Sequence, residues 1–138
     1  MRIWVVGANG FTGRRVLSCL SGTGKYEVMG CSLRPDILPG SGDYSFVQMD
    51  INNFPVVEDL FRTFTPDVVI NTSALSIPDY CETHHEEAYA TNVSAVEHLA
   101  ECCMRTGSRL LHFSTDFVFN GARRDLYTEE DMPAPINY

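Results

Sequence analysis

Gly7-Ala8-Asn9-Gly10-Phe11-Thr12-Gly13 is the stretch on which the reading of this chain turns. A GxxGxxG string carries little weight alone, and its setting supplies the rest. The β-rich run Ile3-Trp4-Val5-Val6 precedes it, and Val16, Leu17 and Leu20 follow at helical spacing. Strand, glycine turn and helix in that order are the context of a dinucleotide-binding fingerprint. Gly7 permits the tight turn, Gly10 lets backbone approach a pyrophosphate, and Gly13 allows close helix–strand packing. Asn9, Phe11 and Thr12 complete the candidate cofactor-binding turn. The helix that opens here offers free N–H groups and the positive end of its dipole. The competing reading is a plain glycine turn.

Outward from that turn, apolar runs alternate with helical periodicity, the pattern of parallel βαβ units. Strands are expected at Arg2 to Val6, Tyr26 to Cys31, Tyr44 to Gln48, Val68 to Ile70 and Leu110 to Phe113. Ser21-Gly22-Thr23-Gly24 stops the first helix, and Pro35, Pro39, Gly40 and Gly42 mark a loop. Asn53 can cap a second helix in which Pro55 sits early and Val56, Val57, Leu60, Phe61 and Phe64 face inward. A long helix over roughly 84–106 shows a stripe of Tyr89, Val93, Val96, Ala100 and Cys103, and Gly107 ends it. Right-handed crossovers then predict an α/β, Rossmann-type doubly wound parallel sheet of order 3-2-1-4-5, with residues 1–138 as one NAD(P)-binding domain.

The end of the second strand bears on the cofactor. An NAD site usually places Asp or Glu there for the ribose hydroxyls. This chain has Cys31-Ser32-Leu33-Arg34, so Ser32 and Arg34 favour the 2′-phosphate of NADPH. NADH stays open, and Asp36 is a counter-signal. Asp50-Ile51 follows the third strand. Asp50 either accepts from the adenine amine or forms an Asx turn into the next helix. Ser73-Ala74-Leu75 follows the fourth strand at the crevice edge, where ligands of such sheets sit.

The 138 residues suffice for a core without disulfides. A formal net charge of −8 argues against nucleic acid or an anionic membrane as the main partner. No run approaches the ~18 apolar residues of a membrane span. No signal peptide is evident, and five scattered cysteines fit reduced thiols, so a cytoplasmic location is expected. Cys81, His84, His85, Cys102 and Cys103 lack a metal-binding spacing, so no metal is expected. Glu129-Glu130-Asp131 reads as a solvated loop or helix start. Arg123-Arg124 is too short for a nucleic-acid patch.

After the fifth strand come Ser114-Thr115-Asp116-Phe117-Val118-Phe119-Asn120-Gly121, then Tyr127-Thr128-Glu129-Glu130-Asp131 and Pro133-Ala134-Pro135-Ile136-Asn137. With the glycine turn, Asp67-Val68-Val69-Ile70-Asn71, Pro78-Asp79-Tyr80-Cys81-Glu82 and Ala90-Thr91-Asn92, these segments resemble the extended short-chain dehydrogenase/reductase family. Within it they resemble the dTDP-4-dehydrorhamnose reductase group, along essentially the whole chain. The resemblance implies NAD(P)H-dependent reduction of the C4 carbonyl of a dTDP-4-keto-6-deoxysugar, in dTDP-rhamnose biosynthesis. It implies Thr115 as the catalytic hydroxyl of a Thr–Tyr–Lys set, Asp116 against the nucleotide-sugar substrate, and Asn92 supporting the cofactor site.

The family pattern Pro-x-Asn-x-Tyr-Gly-x-Ser/Thr-Lys, aligned on Pro135 and Asn137, puts Tyr138 one place before the catalytic tyrosine. Tyr138 takes that role only if the register shifts by one. The chain is therefore expected to be the N-terminal portion of a reductase, inactive without its C-terminal half. Two alternatives stand: a non-catalytic dinucleotide-binding regulatory subunit, and a sugar-nucleotide epimerase or dehydratase of the same fold. A homodimer stays open. Apolar surface exposed at the sheet edge and crevice predicts self-association or poor solubility.

Overall fold

A computed structural model describes residues 1–37, 40 and 42–138, so the loop expectation at Pro39 lies outside the described residues. The order of elements is β1 (Arg2–Val6), α1 (Phe11–Ser21), β2 (Glu27–Ser32), β3 (Ser45–Gln48), α2 (Phe54–Phe64) and β4 (Val68–Asn71). There follow α3 (Pro78–Cys81), α4 (His85–Tyr89), a π-helical turn (Ala90–Ser94), α5 (Ala95–Thr106) and β5 (Arg109–His112). A 3₁₀ turn, Asp116–Val118, comes last. The five strands pair in parallel in the expected order β3-β2-β1-β4-β5.

The sheet is buried on both faces because its central strand alternates. On β1, Trp4 and Val6 pack with Val57, Phe61, Leu99 and Cys102 beneath α2 and α5. Ile3 and Val5 point the other way, to Ala8, Leu17 and Val28 beneath α1. The period-2 side-chain rule thus builds two cores from one strand. The Trp4 and Phe61 rings meet edge-on at 5.4 Å.

Three helical details differ from expectation. Asn53 occupies the N-cap of α2, but its side chain makes no capping hydrogen bond. Pro78 opens the short α3 as a first-turn proline. The buried stripe of the long helical stretch is Ala88, Ala95, Leu99, Cys102 and Cys103, while Tyr89 is 51% exposed. Two overlapping stripes share the same spacing here. Small Ala95 joins Leu99, Cys102 and Cys103 in the core against the sheet, so the buried stripe starts one residue earlier than the Tyr89 one.

The described residues contain no helix long and apolar enough to cross a membrane.

Candidate functional site

The carboxyl ends of β1 and β4 form the switch point of the sheet, where the chain leaves toward opposite faces. Gly7 sits there at φ +79°, a conformation that favours glycine. A Cβ on it would lie 2.7 Å from the Ser73 nitrogen and 2.8 Å from the Ser73 Cα. The glycine turn and the loop after β4 therefore touch backbone to backbone. The Gly7 and Ala8 amides both donate to the Cys31 carbonyl, at 3.0 and 2.9 Å, which ties the turn to β2. Thr72 Oγ1 donates to the Val6 carbonyl at 2.8 Å and lies 3.3 Å from that of Gly7.

Gly13 lies inside the first turn of α1 and is buried. A Cβ there would meet the Gly7 oxygen at 2.2 Å and Thr72 Oγ1 at 2.7 Å. The absence of that carbon lets α1 begin directly on the turn. No side chain caps α1, and its first turn holds no acid. The Gly10 amide donates to the Gly7 carbonyl at 2.9 Å, which leaves the N–H groups of exposed Phe11 and Thr12 open to an anion, and the dipole favours one. Phe11 is 75% exposed, with the Arg14 guanidinium 5.4 Å from its ring centre.

The remaining candidates lie around this point. Ser32 ends β2 and its carbonyl accepts from the Met49 amide. Arg34 is exposed in the loop beyond. The Asp36 carboxylate accepts from the Tyr44 hydroxyl at 2.9 Å. Asp50 Oδ1 accepts from the Asn52 amide at 2.9 Å and side chain at 3.1 Å, the Asx turn into α2. The Ile51 side chain belongs to the core.

Ser73, Ala74 and Leu75 are held by two asparagines. Asn71, fully buried at the end of β4, accepts from the Ser73 amide at 3.0 Å and hydroxyl at 2.6 Å. Its amide nitrogen faces His112 Nδ1 at 3.2 Å. With the Asn71 oxygen already accepting, Nδ1 takes the acceptor role and the ring proton sits on Nε2. Asn92, in the π-helical turn, clamps the Leu75 backbone: Oδ1 accepts from its amide at 2.8 Å and Nδ2 donates to its carbonyl at 3.0 Å. Its neighbour Thr91 accepts from Asn52 at 3.2 Å, which joins the β3 exit to the long helix. Sequence reasoning passed over Asn71, Thr72 and Asn52. A polar residue closing a buried strand was the available signal for Asn71.

Thr115 and Asp116 follow β5 at the same edge of the sheet, both exposed. The Thr115 hydroxyl accepts from the Phe117 amide at 3.2 Å and caps the 3₁₀ turn; Asp116 Oδ1 lies 3.4 Å away as its acceptor. Tyr138 stacks on His85 at 3.9 Å, and its amide donates to Glu82 at 2.7 Å. Asp131 is bonded rather than merely solvated: it takes the Thr128 amide and pairs with Arg123. Those partners, the Thr128 amide first, hold its carboxyl below the usual range.

Cys81, His84 and His85 have separate partners: the Leu75 carbonyl, the Tyr80 ring and the Tyr138 ring. Among the described residues, Glu58, His98 and Cys102 do place their ligand atoms within 4.8 Å of one another. The Arg105 guanidinium already lies 3.0 Å from Glu58 and 3.1 Å from Cys102, so the cation place is taken by a side chain.

Comparison with known proteins follows this geometry. A family described as RmlD substrate binding domain matches residues 1–138. A dTDP-4-dehydrorhamnose reductase from Aggregatibacter actinomycetemcomitans is 34% identical over 98% of this chain and 42% of its own length. Methionine adenosyltransferase 2 subunit beta of Rattus norvegicus is 31% identical over 99% of this chain and 38% of its own. The structure of a dTDP-4-dehydrorhamnose reductase from Bacillus anthracis in complex with NADP superposes with a TM-score of 0.83 at 28% identity, covering 99% of this chain and 44% of that one. The chain thus spans less than half the length of these relatives. It belongs to the RmlD substrate-binding-domain family.

Proposed function

We propose that this chain, as a member of that family, is the dinucleotide-binding part of an NAD(P)-dependent reductase of dTDP-4-keto-6-deoxysugars. The observation that carries the reading is the uncapped, acid-free start of α1, set on a glycine turn at the sheet's switch point. That combination suits a pyrophosphate. NADPH is the preferred cofactor, with Arg34 and Ser32 toward the 2′-phosphate and the clamped 73–75 loop along the crevice wall. When bound, the cofactor supplies a hydride for carbonyl reduction.

Thr115 would hold the substrate carbonyl by donating its hydroxyl proton, released from the weak 3.4 Å contact to Asp116. Asp116 would then be free for a substrate hydroxyl. Proton donation in this chemistry needs a tyrosine whose pKa a neighbouring cation lowers. Lys25 is the sole lysine of the chain. It precedes β2, at the opposite edge of the parallel sheet from Thr115. A lysine beside Thr115 must therefore come from elsewhere, and this chain alone is expected to bind cofactor without turnover.

Titration calorimetry with NADPH and NADH on the intact protein tests the binding half, and absence of heat with both would overturn it. A hydride-transfer assay on a dTDP-4-keto-6-deoxysugar tests the chemistry. The relative named as a subunit of methionine adenosyltransferase 2 favours a second reading, a dinucleotide-binding subunit acting on a partner enzyme. In the intact protein, where the reductase reading expects turnover, binding of NADPH with no hydride transfer to any 4-keto sugar selects that second reading.

A further inference from the structure

Asn9 sits in the middle of the glycine turn, yet its side chain faces the neighbouring loop. Its Nδ2 donates to the Arg34 carbonyl at 3.1 Å and the Pro35 carbonyl at 2.8 Å. Its Oδ1 accepts from the Ile37 amide at 3.4 Å. A primary amide has two N–H donors and one oxygen. Both donors of Asn9 are spent on residues 25 and 26 positions away, and its oxygen on one 28 positions away. The same loop is braced from β3, where Gln48 Nε2 donates to the Leu33 carbonyl at 3.1 Å, and from Tyr44 just before that strand, which binds Asp36.

From this we infer that Asn9 is a positioning residue for cofactor choice: it fixes the Arg34 loop against the pyrophosphate turn and thereby selects the 2′-phosphorylated dinucleotide. The inference rests on the proposed NADPH site. A 2′-phosphate stands at a covalently limited distance from the pyrophosphate of the same molecule. The cation that meets it must stand at a matching distance from the glycine turn. The three Asn9 bonds fix the backbone that carries Arg34 before the cofactor arrives, so the ordering cost of that segment is met in folding rather than in binding. A cofactor without the 2′-phosphate makes no use of Arg34 and gains nothing from the brace.

The test measures Kd for NADPH and NADH by calorimetry on the intact wild-type protein, Asn9→Ala, Arg34→Ala and the double variant. Loss of hydrogen bonds of ordinary net strength predicts that Asn9→Ala raises the NADPH Kd about tenfold. The NADH Kd should stay within about twofold. In the Arg34→Ala background, Asn9→Ala should add nothing, because its effect passes through Arg34. Equal weakening of both cofactors by Asn9→Ala, or additive effects in the double variant, overturns the inference. So does a preference that Arg34→Ala abolishes and Asn9→Ala leaves intact; in that case the NADPH reading survives. If wild type binds NADPH no tighter than NADH, the NADPH reading itself fails and the role of Asn9 falls with it. Should Asn9→Ala not fold, Asn9→Ser carries the same comparison, because its single hydroxyl can replace only one of the two donors.

Discussion

Gly13→Ala separates two physical effects of opposite sign. Gly13 is the third residue of α1, and replacing a helical glycine by alanine ordinarily stabilises by up to ~1 kcal/mol. Here the added carbon would stand 2.2 Å from the Gly7 oxygen and 2.8 Å from the Gly7 carbonyl carbon. Those atoms are backbone, and Gly7 is itself wedged against Ser73. The helix must therefore lift from the turn, an overpacking cost of about 1–3 kcal/mol. The net expectation is a loss of about 1–2 kcal/mol, a fall in Tm of roughly 4–8 °C for a domain of this size. Gly22→Ala is the control, since Gly22 has right-handed helical φ and its Cβ would meet Ser18 O at 3.3 Å. That variant should shift Tm far less. Lifting α1 also moves its open N–H groups, so Gly13→Ala should weaken NADPH and NADH together. Thermal denaturation followed by circular dichroism, with calorimetry for the cofactors, reads both effects. A Gly13→Ala protein that melts higher than wild type refutes the close-approach argument.

Three further outcomes follow from other parts of the molecule. Asn92→Ala frees both polar groups of the Leu75 backbone; it should weaken NADPH and NADH about equally, unlike Asn9→Ala, and a cofactor-selective loss in calorimetry would contradict the clamp. Burial pushes the Cys31 thiol up to about 12 and the Cys103 thiol to about 11, the latter with help from Cys102. The folded state then holds protons that the unfolded chain releases above its ordinary thiol value near 9. Stability should fall as pH rises through that window, and only Cys19, the one exposed cysteine, should react quickly with a thiol reagent in the native protein. Fast labelling of several thiols would count against this burial. Phe113, Phe117, Leu126, Met132 and Ile136 are 47–88% exposed along and beyond the open β5 edge. Self-association at high concentration is expected, and a clean monomer by light scattering would contradict it.

Strand order and both cores were readable because they depend on local rules. The alternation of Ile3, Trp4, Val5 and Val6 distributes side chains to two faces, and the handedness of parallel crossovers leaves one strand order. The helical stripe was not readable in the same way. Tyr89-Val93-Val96 and Ala88-Ala95-Leu99 offer the long helix two neighbouring faces, and only the sheet can choose between them. The π-helical turn at Ala90–Ser94 has no local breaker to announce it. It sits where Asn92 and Thr91 meet partners 17 and 39 residues away. π-turns of this kind recur at functional sites. At this one, the two side chains join the β4 loop and the β3 exit to one helix.

The same distance dependence divides the site. Gly7, Gly10 and Gly13 declare themselves by spacing, because their steric task starts within one turn, even though Gly7 and Gly13 also clear Ser73 and Thr72 of the loop after β4. Asn9 was legible as a candidate and illegible as a role, whereas for Asp50 the Asx turn was one of the two roles its place in the sequence offered. Each lies in the right segment, and each spends its side chain on protein: Asn9 on the Arg34 loop, Asp50 on the Asn52 turn. A polar side chain's function is set by the partner it reaches. For Asn9 that partner is 25 residues on, across the joint between two strands, and no spacing rule within the turn could name it. Arg34 alone would therefore be an incomplete account of cofactor choice, since a cation on an unbraced loop pays its ordering cost at each binding event.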